Sequence, residues 1–194
     1  MPAGLLLAAG AGRRMGQPKA LVELAGEPLV RRSLRVLADG GCAPLLVVLG
    51  AAAADVRAVL PPEVRAVVAQ GWAEGMGASL RAGLVELEKL EPEPDATVVH
   101  LVDLPGVTEA AVARLTAAGS GPDVLLRAAY AGCPAHPVLI GRSHWAGVCA
   151  AATGDAGARR YLIDHPGLRL VECADLADPD DVDTPEQLAA FRTR

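Results

Sequence analysis

Residues 3–20 read AGLLLAAGAGRRMGQPKA. The first seven form an unbroken apolar run, Ala3 to Ala9, without the polar alternation of a half-exposed strand. Such a run suits a strand covered on both faces. It collapses into a loop that carries Gly10, Gly12 and Gly16 among Arg13, Arg14 and Lys19. After a strand, glycines let backbone N–H groups approach an anion, and the cations can pair with phosphate oxygens. The loop is not a Walker P-loop, because GxxxxGK[ST] is absent. Nor is it GxGxxG, since the third position falls on Met15 and Gly16 comes one residue late. On the glycines alone, a phosphate cradle and a plain surface loop both remain open.

Working outward, apolar runs alternate with helical patterns. Residues 27–41 read as a helix with Leu29, Val30, Leu34 and Leu37 on one face, stopped by Gly40-Gly41. Strands are expected at 44–50, 64–70 and 96–105, with helices between them. The strand at 96–105 ends in Asp103 and Pro105. Thr108 is the expected N-cap of the next helix. Residues 123–130 and 136–141 read as a strand pair, and 143–152 and 156–164 as helices. A late strand at 168–174 precedes a terminal helix, 184–194, with Thr184 as N-cap and Pro185 at its first position. This alternation predicts a single-domain, Rossmann-like, three-layer α/β/α fold with a mainly parallel sheet over 1–194. Ligands of such sheets bind at the carboxyl ends of the strands. That rule selects the loop after the first strand, the segment near 70–79 and Asp103.

Composition narrows the field. The 194 residues suit one buried domain, and their longest apolar runs fall far short of the roughly 20 needed for a membrane span. No basic region precedes the first apolar stretch, so it is not read as a signal peptide. A cytoplasmic protein is expected. The net charge of −5 argues against a general nucleic-acid binder, which would carry a basic face. Cys42, Cys133, Cys149 and Cys173 are widely spaced, form no CxxC pair and are read as reduced.

The segment LAAGAGRRMGQPK resembles the signature LAAGxSxRMGxxK of the MobA-like nucleotidyltransferases, which include molybdenum-cofactor cytidylyl- and guanylyltransferases. Leu7, Ala8, Ala9, Gly10, Arg14, Met15, Gly16 and Lys19 match in order, and Gly12 stands where serine is usual. Further segments resemble the family's landmarks in order: WAEGMGASLRAGL (72–84), VDLP (102–105), AHPVLIGR (135–142, with Ala135 for glycine), GDAGARRYL (154–162) and DVDTPEQL (181–188). The resemblance implies a fold of the nucleotide-diphospho-sugar transferase type. It also implies a nucleotidyltransferase that joins a nucleoside triphosphate to the phosphate of molybdopterin and releases pyrophosphate.

Both partners in such a reaction are anionic, so the protein's task is positioning and neutralisation. The resemblance implies Mg2+ held by Asp103 with a second carboxylate from Asp180, Asp181 or Asp183; Asp181 and Asp183 fit its pattern. Arg14 and Lys19 would contact the outer phosphates. Leu7, Ala8, Ala9, Gly10, Gly12, Gly75 and Ser79 would surround the nucleotide, and His136 and Asp155 the acceptor. LAAG is the cytidylyl form of the loop and LAGG the guanylyl form, so Ala9 points to CTP over GTP. A molybdenum hydroxylase is the implied recipient. The alternatives are a guanylyltransferase, a transferase acting on another phosphorylated acceptor, and a nucleotide- or cofactor-binding chaperone. His100, inside the fourth strand, is expected in the core, and Trp72 either lines the pocket or packs.

Overall fold

The computed structural model describes residues 1–192. It begins with β1 (Ala3–Ala8), then a two-residue hairpin of β2 (Glu23–Leu24) and β3 (Glu27–Pro28). There follow α1 (Leu29–Asp39), β4 (Leu45–Leu49), α2 (Ala53–Ala58), β5 (Arg65–Val68), α3 (Met76–Leu87) and β6 (Ala96–Leu101). The second half contains α4 (Glu109–Ala117), β7 (Leu125–Tyr130), β8 (Cys133–Gly141), α5 (Trp145–Ala151), α6 (Arg159–Leu162), β9 (Arg169–Glu172) and α7 (Pro185–Arg192). Thr193 and Arg194, the last two residues of the expected terminal helix, lie outside the described residues.

The main sheet has seven strands in the order β5-β4-β1-β6-β8-β7-β9. β8 runs antiparallel to both neighbours and the other pairings are parallel. Alternate residues of β1 feed opposite layers. Leu6 and Ala8 join a core with Leu29, Leu34 and Leu37 of α1 and Val112 and Leu115 of α4. Leu5 and Leu7 join a second core with Leu80, Leu84 and Leu87 of α3 and Trp145 and Val148 of α5. The three-layer expectation holds, because a strand that is apolar at every position can serve two helical layers at once.

Boundaries moved where pairing or turns decided them. The hairpin takes Glu27 and Pro28, so α1 starts at Leu29. β6 stops at Leu101, short of the expected 105. Its ladder with β1 ends at the Leu7–Leu101 pair, where Val102 N–H closes it on the Leu7 carbonyl at 3.2 Å. Asp103 thus stands just beyond the strand, free to turn into the cleft. The helix expected at 156–164 shrinks to α6, since Gly157 at φ 51° breaks it. Thr108 caps α4 as expected: its Oγ1 accepts from Ala111 N–H at 3.3 Å and donates to the Leu176 carbonyl at 2.9 Å.

Candidate active site

A cleft of about 580 Å³ opens at the carboxyl ends of β1 and β6. One wall is the loop Gly10–Arg14 with Lys19; a second is Trp72, Gly75, Met76 and Ser79; the acids Asp103, Asp155, Asp181 and Asp183 complete it. The loop after β1 turns back on itself through the Met15 N–H, which donates to the Gly12 carbonyl at 2.9 Å. Gly12 sits at φ 61°, and a Cβ there would come 1.9 Å from the Gln17 carbonyl oxygen. Glycine is therefore required by the loop's own backbone. At Gly10 a Cβ would meet nothing within 4 Å, so that position is open toward the cleft.

The acids arrive from two distant parts of the chain. Val182 donates its N–H to the Asp103 carbonyl at 2.9 Å, which ties the 181–183 segment to the end of β6. Below it, Thr184 and Gln187 form a capping box at the start of α7. Gln187 Oε1 accepts from Thr184 N–H at 3.0 Å and Thr184 Oγ1 accepts from Gln187 N–H at 3.3 Å. The same Oε1 accepts from Asp183 N–H at 2.8 Å, so the box also orients Asp183. Gln187 was absent from the sequence-based site, although Thr-x-x-Gln before an apolar run announces a capping box.

Lys19 lies between two carboxylates. Its Nζ donates to Asp103 Oδ2 at 2.6 Å and to Asp183 Oδ1, and Arg14 donates to Asp183 Oδ2. Burial works against the Lys19 ammonium, but the Asp103 and Asp183 carboxylates overcome it and raise its pKa. Burial likewise opposes the Asp183 carboxylate, while Lys19 and Arg14 hold it below the usual carboxylate range. At Asp181 burial, then the Asp183 and Asp103 carboxylates, push the pKa up, and the smaller opposing pull of Lys19 does not offset them. Asp180 does not line the cleft. Among the described residues no group of three His, Cys, Asp or Glu side chains is arranged to hold a metal ion. Two carboxylates bracketing one cation, with a third acid crowded by their negative charge beside them, nonetheless suit a hard divalent cation. Magnesium is commonly bound by one or two carboxylates, its shell completed by phosphates and water.

Other expected residues divide. Leu7, Ala9, Gly10, Gly12, Gly75 and Ser79 line the cleft, as does Arg13. Ala8 does not: on a strand its side chain points opposite to Leu7 and Ala9, and it packs in the α1 core. Ser79 is 3% exposed and its side chain makes no hydrogen bond among the described residues. Trp72 both lines the cleft and packs on the α3-side core. Asp155 reaches the cleft because Gly75, at φ 118°, has no side chain; a Cβ there would lie 2.6 Å from Asp155 Oδ1. His136 lies outside this cleft, in a smaller adjoining pocket. His100 is core, 1% exposed, with a buried Nδ1 that has no hydrogen-bond partner among the described residues.

Residues 4–169 match the MobA-like NTP transferase domain. The chain belongs to this family. As a MobA-like NTP transferase it is a nucleotidyltransferase, and its relatives carry varied names. It is 38% identical over 95% of its length to a protein from Paenarthrobacter nicotinovorans named nicotine blue oxidoreductase, covering 93% of that protein. It is 30% identical over 98% of its length to a molybdenum cofactor guanylyltransferase from Rhodobacter capsulatus, covering 90% of it. Among solved structures, Rv0371c from Mycobacterium tuberculosis H37Rv in complex with manganese superposes with a TM-score of 0.78 at 26% identity, over 98% of this chain and 97% of that one.

Proposed function

We propose that this nucleotidyltransferase moves CMP from CTP to the phosphate of molybdopterin or its molybdenum form, with release of pyrophosphate. The observation that carries this reading is the convergence of Arg14, Lys19, Asp103 and Asp183 at the mouth of a glycine loop. The named guanylyltransferase relative supports the acceptor, and Ala9 on the cleft wall supports the pyrimidine. One methyl group of added bulk distinguishes related bases by only about 1–3 kcal/mol, so preference rather than exclusivity is expected.

In this reading Lys19 leaves its carboxylates for the triphosphate. Asp103 and Asp183 would hold a divalent ion, with Asp181 beside them; Mg2+ is the proposed ion, and the manganese complex of a structural neighbour supports divalent metal use. When bound, that ion supplies positive charge to the phosphate oxygens and the departing pyrophosphate. Arg14 and Lys19 neutralise the outer phosphates, and the open face at Gly10 leaves room for them beside the loop's N–H groups. The acceptor phosphate is already an anion, so no general base is needed. Burial depresses His136 to about 4, which fits a neutral substrate contact better than a proton acceptor at neutral pH. The nucleotide-contacting set is Leu7, Ala9, Gly10, Gly12, Lys19, Gly75 and Ser79, with Asp155 and His136 on the acceptor side. A cytoplasmic location fits four free cysteines, and a molybdenum hydroxylase is the proposed recipient.

The test is transfer of label from α-labelled CTP, GTP, ATP or UTP to molybdopterin with magnesium. CTP is expected to lead by at least tenfold. A lead for GTP overturns the base assignment, and tight nucleotide binding without transfer favours a chaperone. A parallel incubation with reduced nicotinamide and nicotine blue examines the chemistry for which one relative is named.

A further inference from the structure

Leu7, Met76 and Asp155 are shared by two cavities. On one side is the cleft already described; on the other is a pocket of about 170 Å³ with Leu80, Val138 and Ile140 among its apolar walls. Its remaining polar lining is Arg127, His136 and Arg159.

Arg127 rises from the middle of β7, half-buried. Its Nε donates to the Ala135 carbonyl at 3.1 Å. Neither Arg127 nor Arg159 forms an ion pair among the described residues, and neither does Asp155 at the shared rim. The charged group Arg127 chiefly feels is a like one, Arg159; burial and then Arg159 lower its pKa. His136 adds no charge to this pair. Burial holds it neutral near pH 7, and its Nδ1, 3.3 Å from the Val99 carbonyl, which can only accept, carries the single ring proton. Asp103, the other acid near His136, is bonded to Lys19. A guanidinium withdrawn from water without a carboxylate, beside a second guanidinium, is a costly arrangement unless an anion completes it. Arginine's fixed fork of donors suits a planar or tetrahedral oxyanion.

We propose that Arg127, seconded by Arg159, determines acceptor specificity by binding the acceptor's phosphate in the smaller pocket, so that it meets the nucleotide across the shared rim between Leu7 and Met76. Its identity as an acceptor subsite rests on the proposed nucleotidyl transfer; its identity as an anion site does not. The sequence carried one trace of this, a lone arginine in the apolar strand LLRAAY (125–130).

The experiment has two arms on the full chain. First, inorganic phosphate is titrated while the arginine side-chain N–H signals are followed by NMR, the Arg127 signal being identified by its loss in Arg127→Gln. The Arg127 signal is expected to shift saturably, and Arg159→Gln to weaken that binding at least threefold, with Lys19→Met leaving it intact. Second, Arg127→Gln, which keeps an N–H donor for Ala135, is expected to raise the acceptor KM at least tenfold with the triphosphate KM unchanged, and Arg127→Lys to recover part of the loss. An Arg127 signal unmoved by phosphate overturns the anion site, and an unchanged acceptor KM overturns the specificity role. If wild type transfers no nucleotide at all, the proposed function fails while the titration still decides the anion site.

Discussion

Lys19 Nζ stands 2.6 Å from Asp103 Oδ2 and also bonds Asp183, joining residues from the first strand's loop, the end of the fourth parallel strand and the start of the last helix. One ammonium thus closes the cleft's mouth, and it occupies the space in which two carboxylates would share a divalent ion. Removing it leaves those carboxylates facing each other. Lys19→Met is expected to lower kcat/KM for transfer by about 10²–10³-fold, the range for losing one charge-stabilising donor. The far-UV circular dichroism should match wild type, because Lys19 is not part of either apolar core. Steady-state rates that stay within threefold of wild type would remove Lys19 from the chemistry.

The two loop glycines separate structural from ligand roles. Gly12→Ala must relieve a contact of 1.9 Å while holding φ at 61°, and is expected to destabilise by about 1–3 kcal/mol. Gly10→Ala meets open space and should leave the melting temperature within a degree or two while raising the triphosphate KM. Paired thermal melts and KM values check this; equal destabilisation by both would contradict the loop geometry.

Gln187 does not itself line the cleft, yet its Oε1 holds the N–H of Asp183, which does. Gln187→Ala is expected to cost about 1 kcal/mol as a lost cap and to raise the magnesium concentration needed for half-maximal activity several-fold. Gln187→Glu, which keeps the accepting oxygen, should restore most of that metal dependence. Denaturant melts and a magnesium titration of all three proteins provide the comparison.

His100 and His136 are held neutral, burial depressing them to about 3 and about 4. An unfolded histidine takes its proton near pH 6.5. Between pH 6.5 and about 4 the unfolded chain therefore binds more protons, and stability that is full above pH 6.5 is lost as pH falls through that window. For His100, 1% exposed, the loss is on the order of a few kcal/mol. His100→Leu deletes that titration together with a buried Nδ1 lacking a partner, so the fall in melting temperature from pH 7 to pH 4.5 should shrink. An unchanged slope would mean that other groups govern the acid limit.

The outline of the fold was legible because the central strands β1 and β4 are unbroken apolar runs bounded by turn residues, and two-sided burial requires such runs. What the one-dimensional pattern hid was mostly a matter of neighbours. Ala8 belongs to the loop signature, yet the alternation of a strand sends its side chain to the far layer. Where β6 ends depended on where its pairing with β1 stopped, which no reading of 96–105 alone could tell. Asp103 and Asp183 were legible as strand-end and helix-flanking acids, but their meeting rests on the Val182–Asp103 backbone bond. Gln187 and Arg127 did carry local signals, a Thr-x-x-Gln box and a charge stranded in an apolar strand.

The central claim is that Arg14, Lys19, Asp103 and Asp183 act together on a triphosphate. The direct measurement is magnesium-dependent pyrophosphate release from CTP with molybdopterin, for wild type, Lys19→Met, Asp103→Asn and the double variant. The account predicts release by wild type, losses of at least 100-fold in each single variant, and a double variant little worse than either. Wild type that releases no pyrophosphate, or variants that release it at the wild-type rate, would contradict it.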